Sequence, residues 1–276
     1  MNSKTGIMYD RRVGNQVFHA DSAKEIFPDW QNEKESWLFL APHDDDIVCG
    51  AGLTFLAALA EGISTHAVIT TNGLMGYCRP EQRNTIADIR RRETTASFTA
   101  MGLPSENLHR LEFDDCSLYR KSGRQFMEGG DPTIIGSAMG LQNSFTWVLR
   151  KIRPTRVFLP TSTDIHPDHK LTTSEMIISI FHAQGGIWPE LGPALEQIPR
   201  LYEYATYSDF ITPPTLRVRT SEELLEKKLA GIMEYKSQEQ IELLIEVQRK
   251  AGAQEYIREV EFDIMQPGKY DYLFDM

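Results

Sequence analysis

Cysteine is scarce in this chain. There are three in 276 residues, Cys49, Cys78 and Cys116, with no CxxC pair. The odd count and wide spacing argue against a disulfide framework and a cysteine-built zinc site, and point to reduced thiols in a cytoplasmic protein. Positive charge is in deficit, with 29 Lys and Arg against 39 Asp and Glu and a formal net charge of −10. A binder of phosphate backbones shows a basic face, so nucleic acid is not the expected partner. No apolar run approaches the ~20 residues that span a bilayer, so no integral membrane segment is expected. Residues 1–6 lack the apolar core of a signal peptide. Repeats and low-complexity linkers are missing too. What remains, 41% hydrophobic and 25% charged residues, is the composition of an ordinary globular protein.

Residues 1–35 are polar and irregular and read as an N-terminal arm. Trp37 to Ala41 is a short apolar run that predicts a buried strand. Ile47 to Ala60 predicts a helix that stops at Gly62, and Ala67 to Thr71 a β-branched strand closed by Asn72-Gly73. A helix over 88–101, a strand over 108–113, a long helix opened by Asp131-Pro132 and running to Ile152, and a strand over 156–160 follow. This rhythm implies βαβ units, hence an α/β fold: a Rossmann-like three-layer sandwich with a mostly parallel central sheet. Tyr202 to Tyr207 alternates like a strand, Ser221 opens a helix toward Tyr235, and the charged stretch 239–258 reads as helical. One domain over 36–240 with a C-terminal extension over 241–276 is the expected organisation.

Two segments carry the chemistry. Ala41-Pro42-His43-Asp44-Asp45-Asp46 follows the first strand, and His166-Pro167-Asp168-His169 follows the fourth. Ligands of open parallel sheets bind outside the carboxyl ends of strands, where both segments fall. A hydrolytic zinc site takes three ligands from His, Asp or Glu and keeps a place for water. His43, Asp46 and His169 would supply two nitrogens and an oxygen for Zn2+ or another divalent metal. Asp45, beside a ligand, is the candidate general base. His166, as imidazolium, is the candidate that stabilises an oxyanion or protonates a leaving amine, or else a fourth ligand or turn residue. Asp168 is the candidate that orients His166 by accepting its other N–H. Thr71 and Asn72, at the second strand's end, are candidates for lining the substrate pocket, whereas Asp114 and Asp115 read as an exposed acidic loop or else as groups that bind sugar hydroxyls. His19, His66, His109 and His182 have no partners at ligand spacing.

The two segments together resemble the signature of the PIG-L/LmbE-like zinc-dependent deacetylases, A-H-P-D-D-E and H-x-D-H. Thr71 to Gly76, Arg90 to Glu93 before Met101-Gly102-Leu103, Ile152-Arg153-Pro154, and Lys228 with Tyr235-Lys236-Ser237-Gln238 resemble further elements of that family in the same order. The resemblance implies His43, Asp46 and His169 as zinc ligands, Asp45 as base, His166 as the histidine assisting at the tetrahedral intermediate and Arg90 as a sugar-holding arginine. It also implies a small-molecule amino-sugar conjugate as partner, removal of its N-acetyl group, and assembly into homo-oligomers. Asp44 stands where the family usually has Pro, and Ile47 where it usually has Glu. Those departures support an alternative, a sugar-binding or regulatory relative that keeps the metal pocket. An amidase acting on a related conjugate is a further alternative.

Overall fold

The computed structural model of the chain describes residues 6–125, 140–262 and 265–275. In chain order they form β1 (Met8–Val13), β2 (Gln16–Ala20), α1 (Ala23–Ile26), β3 (Ser36–Ala41), α2 (Asp46–Ala60), β4 (Ser64–Thr71), α3 (Ile86–Ala100) and β5 (Leu108–Phe113). Then come α4 (Leu141–Ile152), β6 (Arg156–Pro160), α5 (Pro167–Gln184), β7 (Arg200–Tyr204), β8 (Leu216–Arg219), α6 (Glu222–Met233), α7 (Ile241–Ala251) and β9 (Gln254–Val260). The expected helix start at Asp131-Pro132 lies outside the described residues.

The nine strands of the described residues belong to one sheet, ordered β2-β1-β8-β9-β7-β6-β3-β4-β5. The stretch β7-β6-β3-β4-β5 is parallel. The stretch from β2 to β9, and the joint of β9 to β7, are antiparallel. The sheet is therefore mixed rather than mostly parallel. β3 shows why the parallel part reads as apolar runs. All six of its residues are buried. Trp37, Phe39 and Ala41 join the core on one face, with residues of α2, α3 and α6. Leu38 and Leu40 join the core on the other, with residues of α4 and α5. A strand covered on both faces has no polar side to show.

The antiparallel half comes from segments that the sequence reading placed elsewhere. Residues expected to be an irregular arm form the hairpin β1–β2. The stretch expected to be helical over 239–258 divides at Gly252, whose φ of +78° ends α7 and turns the chain into β9. Strand character was masked there because Glu255, Arg258 and Glu259 interrupt the apolar pattern. Their charges are paired in the fold: Glu255 with Lys228, Arg258 with Glu203 and Glu259 with Arg11.

His66 on β4 and His109 on β5 meet with Nδ1 and Nε2 3.3 Å apart. Burial, then the neighbouring His66 and Lys151, lowers His109 to about 4. Its contribution to stability is therefore complete above the unfolded value near 6.5 and is lost as pH falls from there toward 4, where the unfolded chain takes up a proton that the native one refuses. We expect a loss of about 1–2 kcal/mol over that range, discounted for partial exposure. Urea unfolding from pH 7 to pH 4 should show it in the wild type and less of it in His109→Gln; equal losses in both would contradict the assignment.

Candidate active site

The parallel pairing of β3 with β6, Trp37 to Arg156 through Phe39 to Phe158, sets their carboxyl ends side by side. The turn after β3 and the turn after β6 therefore face each other. In the first turn, His43 N–H donates to Asp46 Oδ2 at 2.8 Å and folds the carboxylate back over the turn. In the second, the His166 ring nitrogen Nδ1 accepts the Asp168 N–H at 3.2 Å and caps α5, whose first residue is Pro167. His169, the third residue of α5, lies in the same first turn and is fully buried.

Three donor atoms converge. His43 Nδ1 and His169 Nε2 are 3.1 Å apart. Asp46 Oδ2 is 3.3 Å from the first and 3.2 Å from the second. A tetrahedral ion with bonds of about 2.0–2.1 Å has ligand–ligand edges of about 3.3–3.4 Å. These residues fit a divalent metal in donor type, burial and spacing. His166 can also reach this cluster, since one ring nitrogen from each of His43, His166 and His169 falls within 4.8 Å of the others. A second combination, His43 with Asp115 and Asp168, uses the other side of the His43 ring.

Carboxylates stand beside the far nitrogens of the His43 and His169 rings. His169 Nδ1 is 3.3 Å from Asp164 Oδ2. Asp164 is fully buried and also accepts the N–H groups of His166 and Tyr207. His43 Nε2 lies 3.2 Å from Asp115 Oδ1 and 3.4 Å from Asp168 Oδ2. The Asp168 carboxylate thus serves His43, and also accepts the Cys116 N–H; it does not orient His166 as expected. The reason is the first turn of α5: the cap on His166 uses the Asp168 backbone, and its side chain turns toward the first loop. Asp115, read as exposed, is 7% exposed. Asp164 is a site residue that was not expected; its signal in the sequence is its place two residues before His166.

The charges follow from this crowding. Burial would lower the His43 imidazole, but Asp46, Asp115 and Asp168 outweigh it and hold the ring well above its ordinary value. Burial would raise Asp46, but His169 and His43 hold it below the usual carboxylate range. Asp115, against the same pull of burial, is held to about 2 by His43. Burial pushes Asp44 up to about 7 despite Arg90 nearby. His166 is lowered by burial and then by His43 and His169, which favours a neutral ring over the expected imidazolium.

A cavity of about 210 Å³ opens beside the cluster, lined among others by His43, Asp45, Arg90, Asp115, His166 and Gln238. Of the three consecutive arginines, Arg90 is the inward one. It is 5% exposed, donates to Gly76 O, and keeps Nε and Nη1 buried without a hydrogen-bond partner among the described residues. Arg91 pairs with Asp88 and Glu112 at the surface. Thr71 and Asn72 do not line the cavity; Gly73, Met75 and Gly76 do. Thr71 donates to Pro42 O, and Asn72 bonds Asp114 and the Leu74 N–H, so the pair shapes the loop.

The late segment closes the wall. Tyr235 O–H donates to Asp44 O and Gln238 Nε2 to Asp45 Oδ2. The Ser237 N–H and O–H both donate to Glu93 at 2.7 Å. Below the site α2 is broken at Ala51, with φ −137° and ψ 16°. A Cβ on Gly50 would sit 2.6 Å from the Tyr204 ring, so only glycine fits there. Cys49 O accepts from Lys228 Nζ and Gln248 Nε2, while Glu255 accepts the Leu53 and Thr54 N–H groups at 2.8 and 2.9 Å. Glu255 acts as a cap for the second half of α2, and Lys228 neutralises it at 2.6 Å.

An open α/β sheet with a buried His/Asp cluster of metal-ligand composition at the carboxyl ends of parallel strands defines the class of protein. The family model described as PIG-L, GlcNAc-PI de-N-acetylase, matches residues 38–180. The chain belongs to that family. A search of curated proteins finds no match. Among solved structures the chain is similar to N,N'-diacetylchitobiose deacetylase from Pyrococcus horikoshii, at 24% identity over 88% of this chain and 89% of that one, with TM-score 0.64. It is also similar to GalB, the 4-carboxy-2-hydroxymuconate hydratase of Pseudomonas putida KT2440, at 18% identity over 84% and 98%, with TM-score 0.62. The zinc-inhibited form of teicoplanin deacetylase is similar at 15% identity over 83% and 100%, with TM-score 0.53. At these identities the likeness is one of fold. Among the described residues no helix is long and apolar enough to cross a membrane.

Removing one partner of a buried ion pair leaves an uncompensated charge and costs about 3–5 kcal/mol. Glu255→Ala, which strands Lys228 and uncaps the break in α2, should lower unfolding free energy by that amount in urea titration. A loss under about 1 kcal/mol would show that the pair does not hold the helix.

Proposed function

We propose that this protein is a metal-dependent N-deacetylase that hydrolyses the N-acetyl amide of a GlcNAc-type amino sugar or its conjugate. The observation that carries the reading is the mutual 3.1–3.3 Å spacing of His43 Nδ1, Asp46 Oδ2 and His169 Nε2 at the edge of a polar cavity. Family membership and the deacetylases among the structural neighbours support it. When bound, a zinc ion held by those three side chains would acidify a water and polarise the amide carbonyl.

The chain's own residues supply the rest. Asp45, anchored at Oδ2 by Gln238, takes the proton of the attacking water and passes it to the leaving nitrogen. His166 accepts the Asp168 N–H at Nδ1, which leaves the ring proton of a neutral imidazole on Nε2. That N–H is the donor for the oxyanion, a role that a neutral histidine can fill. Arg90 Nε, buried without a hydrogen-bond partner among the described residues, and Nη1, which faces Asp44 at 3.7 Å, offer donors to sugar hydroxyls. The acidic balance of the chain suits a small neutral substrate better than a polyanion.

One observation favours the alternative of a pocket that binds without turning over. Asp44 places an extra buried carboxylate under Arg90, 3.7 Å from Nη1. Amine release from N-acetylglucosamine and N,N'-diacetylchitobiose, followed with fluorescamine on zinc-loaded protein, separates the readings. We expect release, and we expect Asp45→Asn to keep its zinc while turnover falls by about 10²–10⁴-fold. Binding of these sugars with no amine released by the wild type would favour the alternative, and an Asp45→Asn protein with normal turnover would remove the assigned base.

A further inference from the structure

The loop after β4 and the loop after β5 are joined along their length. Asn72 N–H donates to Phe113 O at 2.9 Å, Asn72 Nδ2 to Asp114 Oδ1 at 3.1 Å, and Met75 N–H to Asp115 Oδ2 at 3.2 Å. Gly73, Met75 and Gly76 of the first loop line the cavity. The other oxygen of Asp115 lies 3.2 Å from His43 Nε2, on the ring whose Nδ1 faces Asp46 and His169. The buried Asp115 carboxylate thus connects the 73–76 turn to a ring of the donor cluster.

The backbone is bent to make this connection. Cys116, next to Asp115, is a non-glycine residue at φ +58°. Such a conformation costs about 1–3 kcal/mol and persists only where the surroundings enforce it. Here it lets Asp115 reach His43 while the Cys116 N–H turns to Asp168 at 2.8 Å. Asp168 Oδ2 also stands beside the His43 ring, 3.4 Å from Nε2. It is carried by α5 and accepts the N–H of Cys116, which also lines the cavity. Asp115 touches both the 73–76 turn and His43.

We propose that Asp115 is a positioning residue that couples ligand binding against the 73–76 turn to metal affinity at His43. This inference rests on the reading of His43 as a metal ligand. A ligand seated on the turn orders Met75 N–H, which holds Asp115 against His43 Nε2–H, and this strengthens the donor at Nδ1. Because binding free energies are linked, metal must tighten the ligand by the same factor as the ligand tightens the metal.

The test measures zinc affinity by competition with a chromogenic chelator, with and without saturating glucosamine, a probe that carries the sugar and the free amine. In the wild type, glucosamine should tighten zinc binding by about 5-fold or more. Asp115→Asn, which keeps the shape and loses the charge, should weaken zinc by about 10–100-fold and bring the glucosamine effect close to one. Asp168→Asn should weaken zinc while keeping the glucosamine effect, and circular dichroism should show all three proteins equally folded. A glucosamine effect that survives Asp115→Asn, or one missing from a wild type that binds zinc, would overturn the coupling alone. A wild type without zinc binding would overturn the proposed function together with it.

Discussion

The site depends on one pairing, β3 beside β6 in parallel. Residues 43–46 and 166–169 are more than a hundred positions apart, and neither segment can complete the donor cluster by itself. The pairing fixes which strand ends are neighbours, and β3 and β6 lead away from each other into opposite parts of the sheet. A gap at the carboxyl ends follows from that divergence. Both strands are fully buried, so their register is held by apolar contact on two faces and a slip would move every side chain to the wrong side.

Charge is the second constraint. Asp44, Asp46, Asp115, Asp164 and Asp168 are all less than a tenth exposed. Among the described residues the positive charge beside them comes from Arg90 and from His43, whose imidazole is held above its ordinary value. A cluster so weighted toward carboxylate is costly to keep dry unless its lone pairs meet positive charge or N–H donors. The backbone meets part of the demand, through the N–H groups of His43, Met75, Cys116, His166 and Tyr207. The convergence of lone pairs on one point between His43, Asp46 and His169 is what a divalent cation would balance.

The antiparallel half of the sheet has a direct bearing on this chemistry. β9 brings Glu255 to the break in α2, and α6 brings Lys228 to neutralise it. The turn after α6 lays Tyr235 and Gln238 against the carbonyl of Asp44 and the carboxylate of Asp45. Helix α2 begins in the turn that carries His43 and Asp46, and its break at Ala51 lies five residues further on. The C-terminal segment is thereby part of the support of the site, although the family model ends at residue 180.

The parallel strands and the two histidine–aspartate segments could be read directly, because fully buried strands leave contiguous apolar runs and because imidazoles and carboxylates at strand ends have few packing uses. The identity of Arg90 as the inward member of three arginines could not be separated by spacing, since adjacent helical positions differ only in the face they present, and the partner of that face is set by the fold. The hairpin β1–β2 and strand β9 were hidden because edge and joining strands carry charges whose partners lie far away in sequence. The same holds for Asp115 and Asp168. Their residue types were visible, but the direction of a short carboxylate is decided by which N–H groups the folded loops bring within about 3 Å of it, and that is a property of three dimensions.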